Sequence, residues 1–131
     1  MDRGLATLLA TLEPALHDGV YVFARLPGAM PANLAPLGTF RESEGLTVIV
    51  TAEEAERHGL PVLFRAAWIT LTVHSDLAAV GLTAAVAGAL TEAGISCNVV
   101  AAAFHDHLFV PVESGPAAVA VLRDLQARSR Q

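Results

Sequence analysis

Side chains able to do chemistry gather at two places in this chain. The first is His105-Asp106-His107. In a strand, residues i and i+2 share a face, so the two imidazoles can meet one ion. Zinc needs further ligands, and zinc catalysis an open position, but only His74 offers itself as a nearby third. The second place is the start of an apolar helix, His74-Ser75-Asp76-Leu77 through Val80-Gly81-Leu82. Unpaired backbone N–H groups and the helix dipole attract a carboxylate at such a start. Gly81 has no Cβ and lets a ligand or a neighbouring backbone come close, while Ser75 or Asp76 can cap the helix from its own side chain. The dipole contributes about 0.3–2 kcal/mol. Holding a small zwitterion at millimolar to micromolar concentration requires about 4–8 kcal/mol. A second anchor and a side-chain pocket are therefore needed.

The remaining reactive groups read as structural. Cys97 sits in an apolar strand with no motif around it, as a small buried hydrophobe does. Glu42 and Glu44 stand two apart at a turn, where exposed hairpin charges are ordinary, and Arg41 can pair with either. Ser43, Ser75 and Ser96 lack the G-x-S-x-G elbow of a hydrolase. Phosphate-cradling loops, the dinucleotide fingerprint and H-E-x-x-H are all missing.

The elements that must position these groups follow from composition and periodicity. The 131 residues carry a net charge of −5 with eight Lys+Arg, which argues against a nucleic-acid backbone as partner. One cysteine excludes an internal disulfide framework and suits a reducing cytoplasm. The longest uncharged run, Leu77 to Thr91, is shorter than the roughly 18 residues a membrane span requires. The opening Met-Asp-Arg-Gly, followed by Glu13-Pro14, does not read as a signal peptide. From Ala66 to Phe104 the only formal charges are Asp76 and Glu92. Such a stretch needs cover on more than one side, so self-association into a homodimer is expected.

Leu5, Leu8, Leu9, Leu12 and Leu16 predict a helix over 5–16. Strands are expected at 20–24, 38–42 and 46–50, with loop composition from Pro27 to Pro36 and a turn at Ser43-Glu44-Gly45. Thr51 and Glu54 form a capping box that opens a short helix ending at Gly59. In the second half a strand runs to Val73, and a helix over 77–93 ends at Gly94-Ile95. Strands follow at 97–101 and 108–112, with His105-Asp106-His107 at the join. Pro116 opens a last helix bearing Val119, Leu122 and Leu125. Each half thus reads helix, strand, strand, helix. This predicts an α+β, ferredoxin-like βαββαβ arrangement, an antiparallel sheet with helices on one face, in tandem lobes over 1–65 and 66–131.

At His74-Ser75-Asp76-Leu77-Ala78-Ala79-Val80-Gly81-Leu82-Thr83 and Gly94-Ile95-Ser96-Cys97-Asn98-Val99-Val100 the chain resembles an ACT domain. Gly19-Val20-Tyr21-Val22-Phe23, Thr39-Phe40-Arg41-Glu42, Glu44-Gly45-Leu46-Thr47 and Phe104-His105-Asp106-His107-Leu108-Phe109-Val110-Pro111 extend the likeness to stand-alone bacterial tandem ACT proteins over nearly the whole length. The resemblance implies two ACT-type lobes and a non-catalytic protein that binds an amino acid or similar zwitterion. It implies a ligand beside the loop 74–82, near Asn98 and Val99, with Asp106 between His105 and His107 as the acid facing it. Two departures stand out: the N-terminal half shows no ACT-type first strand, and the chain reaches Gln131 without an evident last one. No cofactor or metal is expected. The alternatives are an interaction module that dimerises without a ligand, and a small metal-dependent or acid–base enzyme using His105, Asp106 and His107.

Overall fold

Pro14 decides where the first helix stops. It has no N–H to donate and restricts the residue before it, and Glu13 sits in the left-handed region at φ 43°. The expected helix over 5–16 therefore ends at Ala10, and 14–16 form a strand instead. The computed structural model describes residues 3–73 and 81–130. In chain order the elements are α1 (Arg3–Ala10), β1 (Pro14–Leu16), β2 (Tyr21–Leu26), β3 (Gly38–Glu42), β4 (Gly45–Thr51), α2 (Ala52–Arg57), β5 (Val62–Leu71), α3 (Leu82–Glu92), β6 (Asn98–Ala101), β7 (Asp106–Pro111), a 3-10 turn (Val112–Ser114) and α4 (Gly115–Arg128). Packing groups them into two units: residues 1–18 with 67–131, and residues 19–66. Lobes drawn at 65/66 follow the chain, whereas packing groups its first eighteen residues with residues 67–131.

In the unit of residues 19–66, strands lie in the order β3, β4, β2 and the start of β5, with antiparallel neighbours throughout. Glu42 pairs with Gly45, leaving Ser43-Glu44 as the turn. Val22, Ala24, Val48 and Val50 alternate onto one face and are fully buried. Burying a Val side chain contributes about 1.5–3 kcal/mol. Thr51 caps α2, its hydroxyl accepting from the Glu54 N–H at 3.2 Å. The return half of the expected capping box is replaced: the Glu54 carboxylate lies 3.4 Å from Arg57 and 3.5 Å from His58. A βαββαβ lobe needs a helix between its first two strands, but this segment is the proline-bearing loop 27–37. Its Leu34, buried to 6% exposure, joins the core cluster in the helix's stead.

In the other unit the order is β1, the end of β5, β7 and β6. Pro14 pairs with Leu71 and Leu16 with Ile69, antiparallel. This puts β1 where a βαββαβ lobe has its fourth strand, which answers both the missing last strand and the misread helix. Ile69, Leu71, Leu108 and Val110 face α3 and α4 in one core with Leu82, Val86, Leu90 and Leu122. Trp68, Thr70, His107 and Phe109 alternate to the opposite face. The C-terminus of α3 follows its glycine signal: Gly94 takes φ 76°, its N–H reaches the Thr91 carbonyl, and the Ile95 N–H reaches Leu90, a Schellman motif.

Candidate functional site

Helix α3 starts at Leu82 with Gly81 as N-cap, and the expected start at 77 lies outside the described residues. Gly81 adopts φ 101°, where only glycine sits without strain, and as N-cap it brings no side chain to cap the first turn. No acidic residue occupies that turn either. Its first N–H groups and the positive end of the dipole therefore lack a cap from the helix's own side chains. Of the residues expected here, His74, Ser75, Asp76, Leu77 and Val80 lie outside the described residues. The bare side of Gly81 is met by α1: a Cβ built there falls 3.0 Å from Cδ2 of Leu5.

Asp106 opens β7 opposite Ala101. Strand alternation turns it to the helix side along with Leu108 and Val110. It lines a hollow with Leu82 and Thr83 from the first turn of α3 and Val99 from β6, over a floor of Leu71, Val86 and Leu108. The structure thus brings together Leu82, Val99 and Asp106 from the expected set. The hollow has no room for a water molecule. A carboxylate and a helix N-terminus at one apolar hollow are the two charges that complement an ammonium and a carboxylate. Asp106 beside the first turn also favours the dipole, by about 0.3–1 kcal/mol.

His107 faces the other way, as does Asn98, which pairs with Phe109 on the exposed strand β6. The Trp68 indole N–H donates to His107 Nδ1 at 3.1 Å. Thr70 Oγ1 lies 3.1 Å from the same nitrogen and 2.7 Å from His17 Nε2. The His17 ring stacks on Trp68 with centroids 3.5 Å apart and planes 9° from parallel. Burial lowers the pKa of His107, and the nearby His105 and His17 lower it further against Asp106, which raises it. Burial likewise lowers His17, opposed by Asp18. Nδ1 of His107 is thus committed within the protein. His105 keeps its Nδ1 buried without a hydrogen-bond partner while its carbonyl accepts from Ala102 N–H at 3.0 Å. Among the described residues no three His, Cys, Asp or Glu side chains are grouped to hold a metal ion.

The sequence reading missed His17 and Trp68. Both depend on β1 pairing with β5, and the available signal was Pro14, which forbids continuing the helix that hides that strand. Cys97 is half-buried, and burial pushes its thiol up to about 11, so it stays protonated at neutral pH. Glu42 is exposed and accepts from the Thr47 hydroxyl at 2.6 Å, a hairpin contact. The unit of residues 19–66 has an open cleft of about 570 Å³ beside α2, floored by Val22, Ala55, Leu60 and Val62, with Glu53, Glu56 and Arg65 also lining it. No helix among the described residues is long and apolar enough to cross a membrane.

Two family models, each described as an ACT domain, match residues 2–67 and 64–124. A Vibrio cholerae structure, of a protein of unknown function described as a possible transport protein, is 45% identical. The alignment covers 95% of this chain and 97% of that one, with a TM-score of 0.85. An Agrobacterium tumefaciens protein is 21% identical over 86% of this chain and 87% of its own, with a TM-score of 0.68. The ligand-free regulatory subunit of aspartate kinase from Thermus thermophilus is 12% identical over 88% and 97%, with a TM-score of 0.63. At these lower identities the last two share the fold. No curated protein matches the chain.

Proposed function

Because the chain belongs to the ACT-domain family and carries two ACT domains in tandem, we propose that it is a non-catalytic regulatory protein that binds an amino acid or related zwitterion. The observation that carries this reading is the start of α3, whose glycine N-cap offers no side chain, sharing an apolar hollow with Asp106. The ligand carboxylate goes to the N–H groups after Gly81, the ammonium to Asp106, and the side chain to Leu82 and Val99. Since the hollow has no room for water, binding requires it to widen. The fold shared with an aspartate kinase regulatory subunit agrees with a regulatory role. The single, buried, protonated thiol agrees with a cytoplasmic setting.

Thermal unfolding measured against each of the twenty amino acids tests the proposal. A ligand at 100 times its dissociation constant adds about 2.7 kcal/mol, several degrees for a chain of this size. No shift with any amino acid at millimolar concentration removes the ligand reading. The second reading, a homodimeric interaction module without ligand, is favoured by exposed Phe40 at 71% and Phe104 at 72%. Light scattering showing a stable dimer alongside flat melting curves selects it.

A further inference from the structure

We propose that Trp68 and His107, with Thr70 and His17 beside them, form a proton-operated clasp, which ties β5 to β7 while His107 is neutral and lets go when its Nδ1 takes up a proton. The direction of the hydrogen bonds carries this. An indole N–H is a donor only, so His107 Nδ1, 3.1 Å from Trp68 Nε1, must be a bare acceptor. That fixes neutral His107 as the Nε2–H tautomer. Thr70 Oγ1 lies within hydrogen-bond distance of both His107 Nδ1 and His17 Nε2, and its hydroxyl can donate to one and accept from the other. A proton on Nδ1 would face the indole N–H with no lone pair left, so the Trp68 contact is lost, whereas the Thr70 hydroxyl can turn and accept from the new N–H.

The surrounding charges set the threshold. From the β6–β7 turn comes His105, from the end of β1 His17 with Asp18 beside it, and from β7 itself Asp106. Across β6, the residue paired with His107 is Val100, which is uncharged. Two histidines therefore oppose the added proton and Asp106 favours it, while burial opposes it throughout. Trp68 is the only tryptophan in the chain, so the clasp reports on itself.

The test follows the ring nitrogens of His107, the indole N–H of Trp68 and the tryptophan emission between pH 8 and pH 4.5. At pH 8 His107 is expected as the Nε2–H tautomer. On acidification it titrates below 6.5, and both tryptophan signals move with the same midpoint. Trp68→Phe, which removes the donor, raises the His107 midpoint toward 6.5. In case Trp68→Phe fails to fold, the wild-type indole N–H decides, since it must lose its hydrogen-bonded position with the His107 midpoint. An Nδ1–H tautomer at pH 8, a midpoint at or above 6.5, tryptophan signals on a different midpoint, or an unmoved midpoint in the folded variant overturns the proposal.

Discussion

Leu5 fills the space that a side chain at position 81 would need. The built Cβ of Gly81 comes to 3.0 Å from Leu5 Cδ2, and the backbone there holds φ 101°. Two separate costs follow for any substitution. Backbone strain of this kind runs to about 1–3 kcal/mol, and a 3.0 Å approach forces the leucine to shift. Gly81→Ala is expected to destabilise the fold by about 1–3 kcal/mol in urea titrations. In a double-mutant cycle with Leu5→Ala, the coupling isolates the contact from the strain. Additive effects would mean that Leu5 yields freely.

Gln126 explains a second departure from the sequence pattern. It is buried to 6% exposure on the core side of α4. Its side chain accepts from the Glu13 N–H at 3.1 Å and donates to the Ala10 carbonyl at 3.1 Å and to the Glu13 carboxylate at 2.7 Å. Those bonds pin the irregular link that turns α1 into β1. Gln126→Leu keeps most of the volume but leaves the Glu13 N–H without this acceptor. The expected loss is about 1–3 kcal/mol, with amide exchange near residues 11–16 accelerated beyond the global change.

These two positions also show what the sequence made legible. Local signals held: the Ser43-Glu44 turn, the Thr51 cap and the Gly94 C-terminus each depend on residues a few positions apart, and each formed. The α+β class and antiparallel sheet followed from those pieces. Signals that depend on distant partners did not hold. Leu12 keeps helical spacing with Leu8 and Leu9, yet it is fully buried beyond the end of α1 because β1 pairs with residues 69–71. The same long-range pairing moved residues 1–18 to the other unit and brought His17 onto Trp68. Of the expected site, Leu82, Val99 and Asp106 meet, because strand alternation and the α3–β7 crossing act on nearby chain. His107 went to the opposite face by that same alternation.

Acid is expected to weaken the fold through the two histidines of the open sheet face. Both have folded-state pKa values below the ordinary 6.5, His17 and His107 alike chiefly through burial. The unfolded chain therefore takes up protons first as pH falls. Their contribution is whole above 6.5 and is lost progressively as pH drops from there toward the folded values. The slope is at most about 1.4 kcal/mol per pH unit for each histidine. Urea titrations at pH 7.5, 6.5 and 5.5 measure it, and His107→Gln should flatten the part below 6.5. A wild-type stability that stays level or rises through that interval contradicts the lowered values.

Asp106 allows charge to be separated from shape at the candidate ligand site. Asp106→Asn preserves the outline of the side chain in the hollow with Leu82, Thr83 and Val99 while removing its charge. A hydrogen bond to a charged group contributes about 1.5–3 kcal/mol, so an amino acid that binds wild type is expected to bind the variant roughly 10–150-fold more weakly. The matching carboxylic acid without its amino group never meets the aspartate as a cation, so its affinity should hold or improve. Isothermal titration of both compounds with both proteins gives the four affinities. Equal losses for the two would mean that the substitution only disturbs packing. Unchanged affinity for the amino acid would put the ammonium elsewhere, and the assignment of Asp106 as its anchor would fall.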